Sequence, residues 1–270
     1  MRLKQFQVDA FTCRPFSGNP AAVCMLERWL SDDLLLAIAA ENNLSETAFL
    51  VPRPAPREWD LRWFTPRAEV DLCGHATLAS AHVLLTEFET RAQHVDFKTR
   101  SGMLRTSRTE SAYRMDFPSR PPVPIALTDE IVQALGARPL DAWKARDLIV
   151  RFEQASQVRT LRPDLRAVEA LDYFALCATA PGTDADAAVD FVSRFFAPRA
   201  GVPEDPVTGS AHCELAPYWR ERLGRAKDGS LRFRARQIGP RGGELACECD
   251  DRRVYLYGQA VTVLRGELVF

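Results

Sequence analysis

Arg62-Trp63-Phe64-Thr65-Pro66-Arg67-Ala68 recurs 132 residues later as Arg194-Phe195-Phe196-Ala197-Pro198-Arg199-Ala200, identical at five of seven positions. Shortly after each copy stands a glycine that opens a run of helix-forming apolar residues. The first is Val70-Asp71-Leu72-Cys73-Gly74-His75-Ala76-Thr77, continuing to Leu85, and the second is Gly209-Ser210, continuing from Ala211 to Trp219. Both read as strand, turn and helix start. A helix N-terminus leaves backbone N–H groups unpaired and carries partial positive charge, and glycine lets a ligand approach that backbone closely. Two such ends could hold one small anion, or the repeat could be an old duplication kept only for packing.

Working outward, the first half alternates strands with two helices. Leu3 to Phe11 and Ala21 to Leu26 read as strands around the turn residues Ser17-Gly18-Asn19-Pro20. Ser31 followed by Asp32-Asp33 and the apolar Leu34, Leu35, Ile38 and Ala39 predicts a helix that stops near Asn42-Asn43. The run from Ala76 to about Glu87 is apolar nearly all round, which predicts a buried helix. Strands are expected at Val95–Thr99, Met103–Ser107 and Ala112–Phe117. Four prolines between Pro118 and Pro124 predict a stiff extended link and a domain boundary.

Beyond the link the style repeats. A short helix is expected from Thr128 to Leu135, strands near Asp147–Glu153 and Tyr173–Thr179, and a helix from Ala185 to Phe195. The tail from Glu244 to Phe270 reads as successive strands, long enough to return to the first domain. The division expected is an N-terminal domain over 1–118, joined by strand 258–270, and a C-terminal domain over 119–257.

Composition narrows the function classes. With 270 residues, 46% hydrophobic and 26% charged, the chain has the make-up of a globular protein of up to two domains. A net charge of −1 with no basic run argues against nucleic acid. The start Met1-Arg2-Leu3-Lys4-Gln5-Phe6 lacks a signal-peptide core and no stretch is apolar enough to span a bilayer, so a cytoplasmic protein without a membrane partner is expected. Seven scattered cysteines fit a reducing compartment, and Cys247-Glu248-Cys249 lacks the further ligands a zinc site needs. No metal is expected.

Several residues could carry chemistry. Glu46 stands in the polar cluster Asn43-Leu44-Ser45-Glu46 at the mouth of the apolar strand Thr47–Val51, where partial desolvation would suit a carboxyl to acid–base work. His75 follows Gly74 at a helix start, either capping the helix or presenting its ring to a ligand. Asp205, in Glu204-Asp205-Pro206, could cap the second helix or orient a substrate group. A hydrolase built from Ser210, His75 and Asp205 lacks the Gly-x-Ser-x-Gly elbow, and nucleotide-binding glycine loops are absent.

Five segments in order, Phe11-Thr12 with Gly18-Asn19-Pro20-Ala21-Ala22-Val23, Asn43 to Phe49, Cys73 to Thr77, Gly201 to Ala211 and the Gly258–Leu268 tail, resemble the phenazine-biosynthesis PhzF-like family over nearly the whole chain. The resemblance implies an α+β diaminopimelate-epimerase fold: two similar domains, each a mixed barrel-like sheet around a central helix, with the active site between them. It implies an isomerase that needs no cofactor and acts on a small carboxylic acid, similar to trans-2,3-dihydro-3-hydroxyanthranilate isomerase. Glu46 would take a proton from one carbon and return it at another, with His75, Asp205 and Ser210 as the other catalytic positions. Asn19, Ser45, Gly74, Thr208 and Gly209 would bind substrate, and a homodimer is expected. Epimerases of the fold use two cysteines, whereas here Cys73 has no partner in Pro206-Val207-Thr208-Gly209-Ser210. An amino-acid epimerase or racemase, and a non-catalytic binding protein, remain the alternatives.

Overall fold

Alternation decides the first element. Along Arg2–Ala10 (β1) Leu3, Phe6, Val8 and Ala10 are buried while Arg2, Lys4, Gln5 and Gln7 are exposed or half-buried, which gives the strand one packed face, and Asp9 is the one polar residue of the strand that is buried. In the computed structural model, which describes residues 1–224 and 232–270, the chain divides into two compact units. Unit 1 comprises Met1–Asp116 with Tyr257–Phe270, and unit 2 comprises Phe117–Leu256.

Unit 1 contains β1, β2 (Asn19–Met25), helix α1 (Asp32–Asn42), β3 (Glu46–Pro52), β4 (Glu58–Phe64), β5 (Glu69–Val70), helix α2 (Gly74–Val83), β6 (His94–Thr99), β7 (Gly102–Arg108) and the start of β8 (Tyr113–Pro118). The C-terminal strand Ala260–Val269 returns to pair antiparallel with β1, Leu3 opposite Leu268. Helix α2 packs against β1, β2, β3, β7 and that returning strand, so the sheet wraps around it. Every α2 residue except His82 is buried, as its all-round apolar sequence predicts. Just before the returning strand, close packing against α2 depends on Gly258: a Cβ there would lie 2.5 Å from the Phe11 ring and 2.9 Å from Leu78 Cδ2.

Unit 2 contains β9 (Val123–Ile125), helix α3 (Asp129–Leu135), β10 (Asp141–Lys144), β11 (Leu148–Arg151), helices α4 (Ala155–Thr160) and α5 (Leu165–Ala170), β12 (Leu176–Pro181), β13 (Phe191–Ala197), β14 (Val202–Asp205), helix α6 (Gly209–Arg222), β15 (Arg232–Gln237), β16 (Gly243–Cys249) and most of β17 (Arg253–Gly258). Its pairings reproduce those of unit 1 step for step. From β1 to β7 the series is antiparallel β1–β2, parallel β2–β3, antiparallel β3–β4 and β4–β5, parallel β4–β6, antiparallel β6–β7. From β10 to β16 the same series appears with β10 in the place of β1. The molecule is an α+β protein built from two similar units.

The seven-residue repeat sits at the ends of β4 and β13, where Phe64 pairs with Thr47 and Phe196 with Leu176. The hairpins that follow differ in length. Trp63 pairs with Val70 after seven residues, and Phe195 pairs with Asp205 after ten. The longer one accommodates the 3-10 turn Pro198–Ala200 and Gly201 in the left-handed region (φ 79°).

Two expectations are corrected. The helix expected from Ala185 to Phe195 is instead one 3-10 turn (Asp184–Asp186) followed by strand β13, whose seven residues are all buried. A strand covered on both faces has no alternation to reveal it, and its run of Phe and Val mimics a buried helix. The proline link is only partly a link: Val123–Ile125 pairs with β10. Nearby, the Arg120 N–H donates to the Cys213 carbonyl (3.0 Å), the group that Pro217, four residues on inside α6, cannot serve.

No helix among the described residues is long and apolar enough to cross a membrane.

Candidate active site

Unit 1 brings Glu46, His75 and Asn19 together. Glu46 is the first residue of β3, opposite Ala21 of the parallel β2, and its side chain is 16% exposed. The strand start is fixed from α1: Asn42 Nδ2 donates to Thr47 Oγ1 (3.1 Å) while Asn42 Oδ1 accepts from Gln5 Nε2 (2.7 Å). His75, the second residue of α2, is buried with Nε2 3.1 Å from Glu46 Oε2. Among the described residues neither of these two atoms has another partner.

The other ring nitrogen has two neighbours. Asn19 Nδ2 lies 3.1 Å and Cys73 Sγ 3.5 Å from His75 Nδ1. The amide can donate to a bare Nδ1 and the sulfur can accept from a protonated one, so the ring keeps a partner in either charge state. Burial alone would lower the imidazole pKa, but the Cys73 sulfur and the Glu46 carboxylate raise it well above its usual value. Burial, with Glu46 adding to it, pushes the Cys73 thiol up to about 11, so it is protonated at neutral pH. Glu46, Cys73 and His75 each place a potential ligand atom within 4.8 Å of the others. Cys73 faces Nδ1 of the ring and Glu46 faces Nε2, so the three groups form one hydrogen-bonded acid–base cluster.

Asn19, expected as a substrate-binding position, has no solvent exposure and faces the imidazole. Ser45 is half-buried directly before Glu46, and Gly74 is the buried first residue of α2. No side chain caps α2.

Unit 2 brings Asp205, Thr208, Gly209 and Ser210 together at the start of α6. Asp205 ends β14 and is 9% exposed. The Thr208 hydroxyl donates to the Asp205 carboxylate, so the N-cap side chain is used there and no side chain caps α6. Gln237 of β15 fastens this turn, its Oε1 accepting from the Thr208 N–H (2.9 Å) and its Nε2 donating to the Asp205 carbonyl (2.5 Å). His212 Nδ1 lies 2.8 Å from the Thr208 carbonyl; burial lowers its pKa to about 4, so the ring is neutral and donates this bond.

Reading by motif misses Gln237, Arg146 and Glu214. Arg146 Nη2 donates to Ser210 Oγ (3.1 Å). Glu214, one turn beyond Ser210, is fully buried, and burial with the Asp147 charge raises its pKa to about 8. These residues come from a strand, a turn and a helix with no shared local signature. Aligning the halves strand by strand brings Arg146 within one position of the place Asn19 takes in unit 1.

The family model described as "Phenazine biosynthesis-like protein" matches residues 8–266. An uncharacterised isomerase of Pseudomonas aeruginosa is 48% identical over 269 residues, covering 99% of each chain. The crystal structure of a phenazine biosynthesis protein of the PhzF family from Enterococcus faecalis superposes with a TM-score of 0.93 at 42% identity, covering all of both chains. A hydroxyproline epimerase from Agrobacterium vitis, 12% identical, shares the fold with a TM-score of 0.62 over 99% of this chain and 92% of its own.

Proposed function

The chain belongs to the phenazine biosynthesis-like family and is an isomerase, and from that premise we propose that it relocates a proton on a small carboxylic acid by acid–base catalysis through Glu46. The observation that carries this reading is the buried His75 Nε2 at 3.1 Å from Glu46 Oε2, with Asn19 and Cys73 behind the ring. In the forward step a substrate C–H bond breaks, the proton passes to the Glu46 carboxylate, and the electron pair moves into the adjoining unsaturated system. Glu46 then gives the proton back at another carbon and the double bond shifts. Nothing is oxidised or reduced, so an acid and a base suffice and no cofactor is required. His75 holds Glu46 in place and offsets its charge as the proton leaves. Asp205 and Ser210 serve the same reaction, with Ser45, Thr208 and the backbone at Gly74 and Gly209 binding substrate or its developing charge.

The substrate class is that of trans-2,3-dihydro-3-hydroxyanthranilate, the compound acted on by the enzyme this sequence resembles. An amino-acid epimerase with two thiols fits less well: strand pairing and the shared glycine put Thr208 where the first unit has Cys73. Seven free thiols support a cytoplasmic setting, and we include a homodimer in the proposal, to be checked by sedimentation.

Proton NMR of trans-2,3-dihydro-3-hydroxyanthranilate in D2O tests the reading. Consumption with deuterium incorporation by the wild type, lost in Glu46→Gln, is expected. Turnover that persists in Glu46→Gln overturns the assigned base, and no turnover by the wild type overturns this substrate.

A further inference from the structure

The first turn of α6 meets an arginine that no sequence motif includes. Arg146 precedes β11, and its Nη2 donates to Ser210 Oγ at 3.1 Å. Its Nε and Nη2 also fork onto the two carboxylate oxygens of Asp147, each at 2.9 Å. The guanidinium packs over the Phe174 ring, 4.5 Å from its centroid. Asp147 has no solvent exposure, and its backbone N–H donates to Glu214 Oε2 at 3.4 Å.

This arrangement is costly unless it serves something. A buried carboxylate is tolerated only when paired, and an apolar pair of similar size would stabilise the fold as well or better. What the ion pair does is fix the guanidinium. Asp147 and Phe174 hold its plane while 32% of the Arg146 side chain stays exposed, and among the described residues Nη1 has no acceptor. Ser210 Oγ accepts from Arg146, which leaves the serine hydrogen free to donate elsewhere.

Comparison of the units sharpens the point. In unit 1, Asn19 at the start of β2 meets His75, the second residue of α2. In unit 2, Arg146 just before β11 meets Ser210, the second residue of α6. Neighbouring positions at the start of the matching strands carry a neutral, fully buried amide in one unit and a part-exposed cation in the other, Arg146 standing where unit 1 has Pro20. A guanidinium held in place with Nη1 still to donate, beside a serine hydroxyl and a first helical turn that no side chain caps, matches a carboxylate.

We propose that Arg146 recognises the substrate's carboxylate, setting the specificity of the enzyme for acids over their neutral analogues. This rests on the reading of the substrate as a small carboxylic acid, and does not depend on which group is the base.

Calorimetric binding of anthranilate and anthranilamide, which share a ring and differ in charge, tests the proposal. The wild type should prefer anthranilate by at least about tenfold, the scale of a charge-assisted hydrogen bond. Arg146→Met should bring anthranilate to the level of the amide and leave amide binding unchanged, with Arg146→Lys in between because charge survives without the fork. If removal of Arg146 unfolds the protein around a bare Asp147, the double variant Arg146→Met with Asp147→Asn removes both charges and makes the same prediction. A preference retained in these variants, or no preference in the wild type, overturns the assignment. Glu46→Gln should keep the preference, so failure of the base and failure of the arginine read separately.

Discussion

Asn19 turns its amide nitrogen onto Nδ1 of His75 at 3.1 Å, from a position with no exposure to solvent. The amide favours the neutral ring, whose Nδ1 is bare, while the Cys73 sulfur 3.5 Å away favours the protonated one. Removing either partner should therefore move the ring's titration in opposite directions. Asn19→Ala is expected to raise the His75 pKa further and Cys73→Ala to lower it, followed by NMR of the ring nuclei. Equal shifts in one direction would contradict the two-partner arrangement.

Acid should destabilise the protein before most carboxylates titrate. Burial lowers the pKa of His82 and of His212 to about 4, against an ordinary value of 6.5. At these two rings the unfolded chain binds more protons than the folded one between these values, so their contribution to stability is full above pH 6.5 and is lost as pH drops towards 4. The loss amounts to up to roughly 3 kcal/mol for each ring. His212→Gln should flatten part of the decline of Tm with pH over this range; an unchanged slope would assign the acid sensitivity elsewhere.

Glu214 has the opposite sign. Its pKa of about 8, raised from 4.5 by burial and then by Asp147, means the folded protein holds a proton the unfolded chain releases. Its contribution is full below pH 4.5 and is lost as pH rises through 8. Glu214→Gln keeps the shape and removes the ionisation, so the variant should unfold at a higher temperature than wild type at pH 9 and at a similar one at pH 4. A lower Tm at pH 9 would mean the carboxylate is ionised and stabilising in the native protein.

Gly258 is a packing requirement. A methyl group there would press into the Phe11 ring and Leu78. Gly258→Ala should cost about 1–3 kcal/mol, the usual scale of overpacking, seen as a lower urea midpoint. Pairing it with Leu78→Ala should recover part of what Gly258→Ala loses relative to Leu78→Ala alone.

Much of the fold was legible because its local signals agree. The alternation in Leu3–Phe11, the acids after Ser31 and the all-apolar run after Gly74 each name an element the structure contains. The repeat at Arg62 and Arg194 pointed to duplication, and strand pairing carries that duplication well beyond seven residues. What was hidden is physical in origin. β13 is buried on both faces and loses its period, and α4 and α5 have six residues each, too few for a helical pattern. In the candidate site, Glu46 and His75 stand 29 positions apart and meet at 3.1 Å, a proximity that a family pattern could suggest and spacing could not. Arg146 and Gln237 are fixed by tertiary contacts alone.

The pairing of β1 with residues 260–269 has a consequence for how the chain is made. During synthesis from the N-terminus, the strand that flanks β1 emerges among the last residues, after everything in unit 2. Unit 1 therefore waits with one edge of its sheet open, and with Gly258 not yet seated against α2, while the later-made unit can already fold. An exposed strand edge in a half-made domain invites pairing with other chains. Slowing translation anywhere between Phe117 and Leu256 should therefore lengthen the aggregation-prone interval, whereas the same delay within β1, before the rest of unit 1 is made, should not.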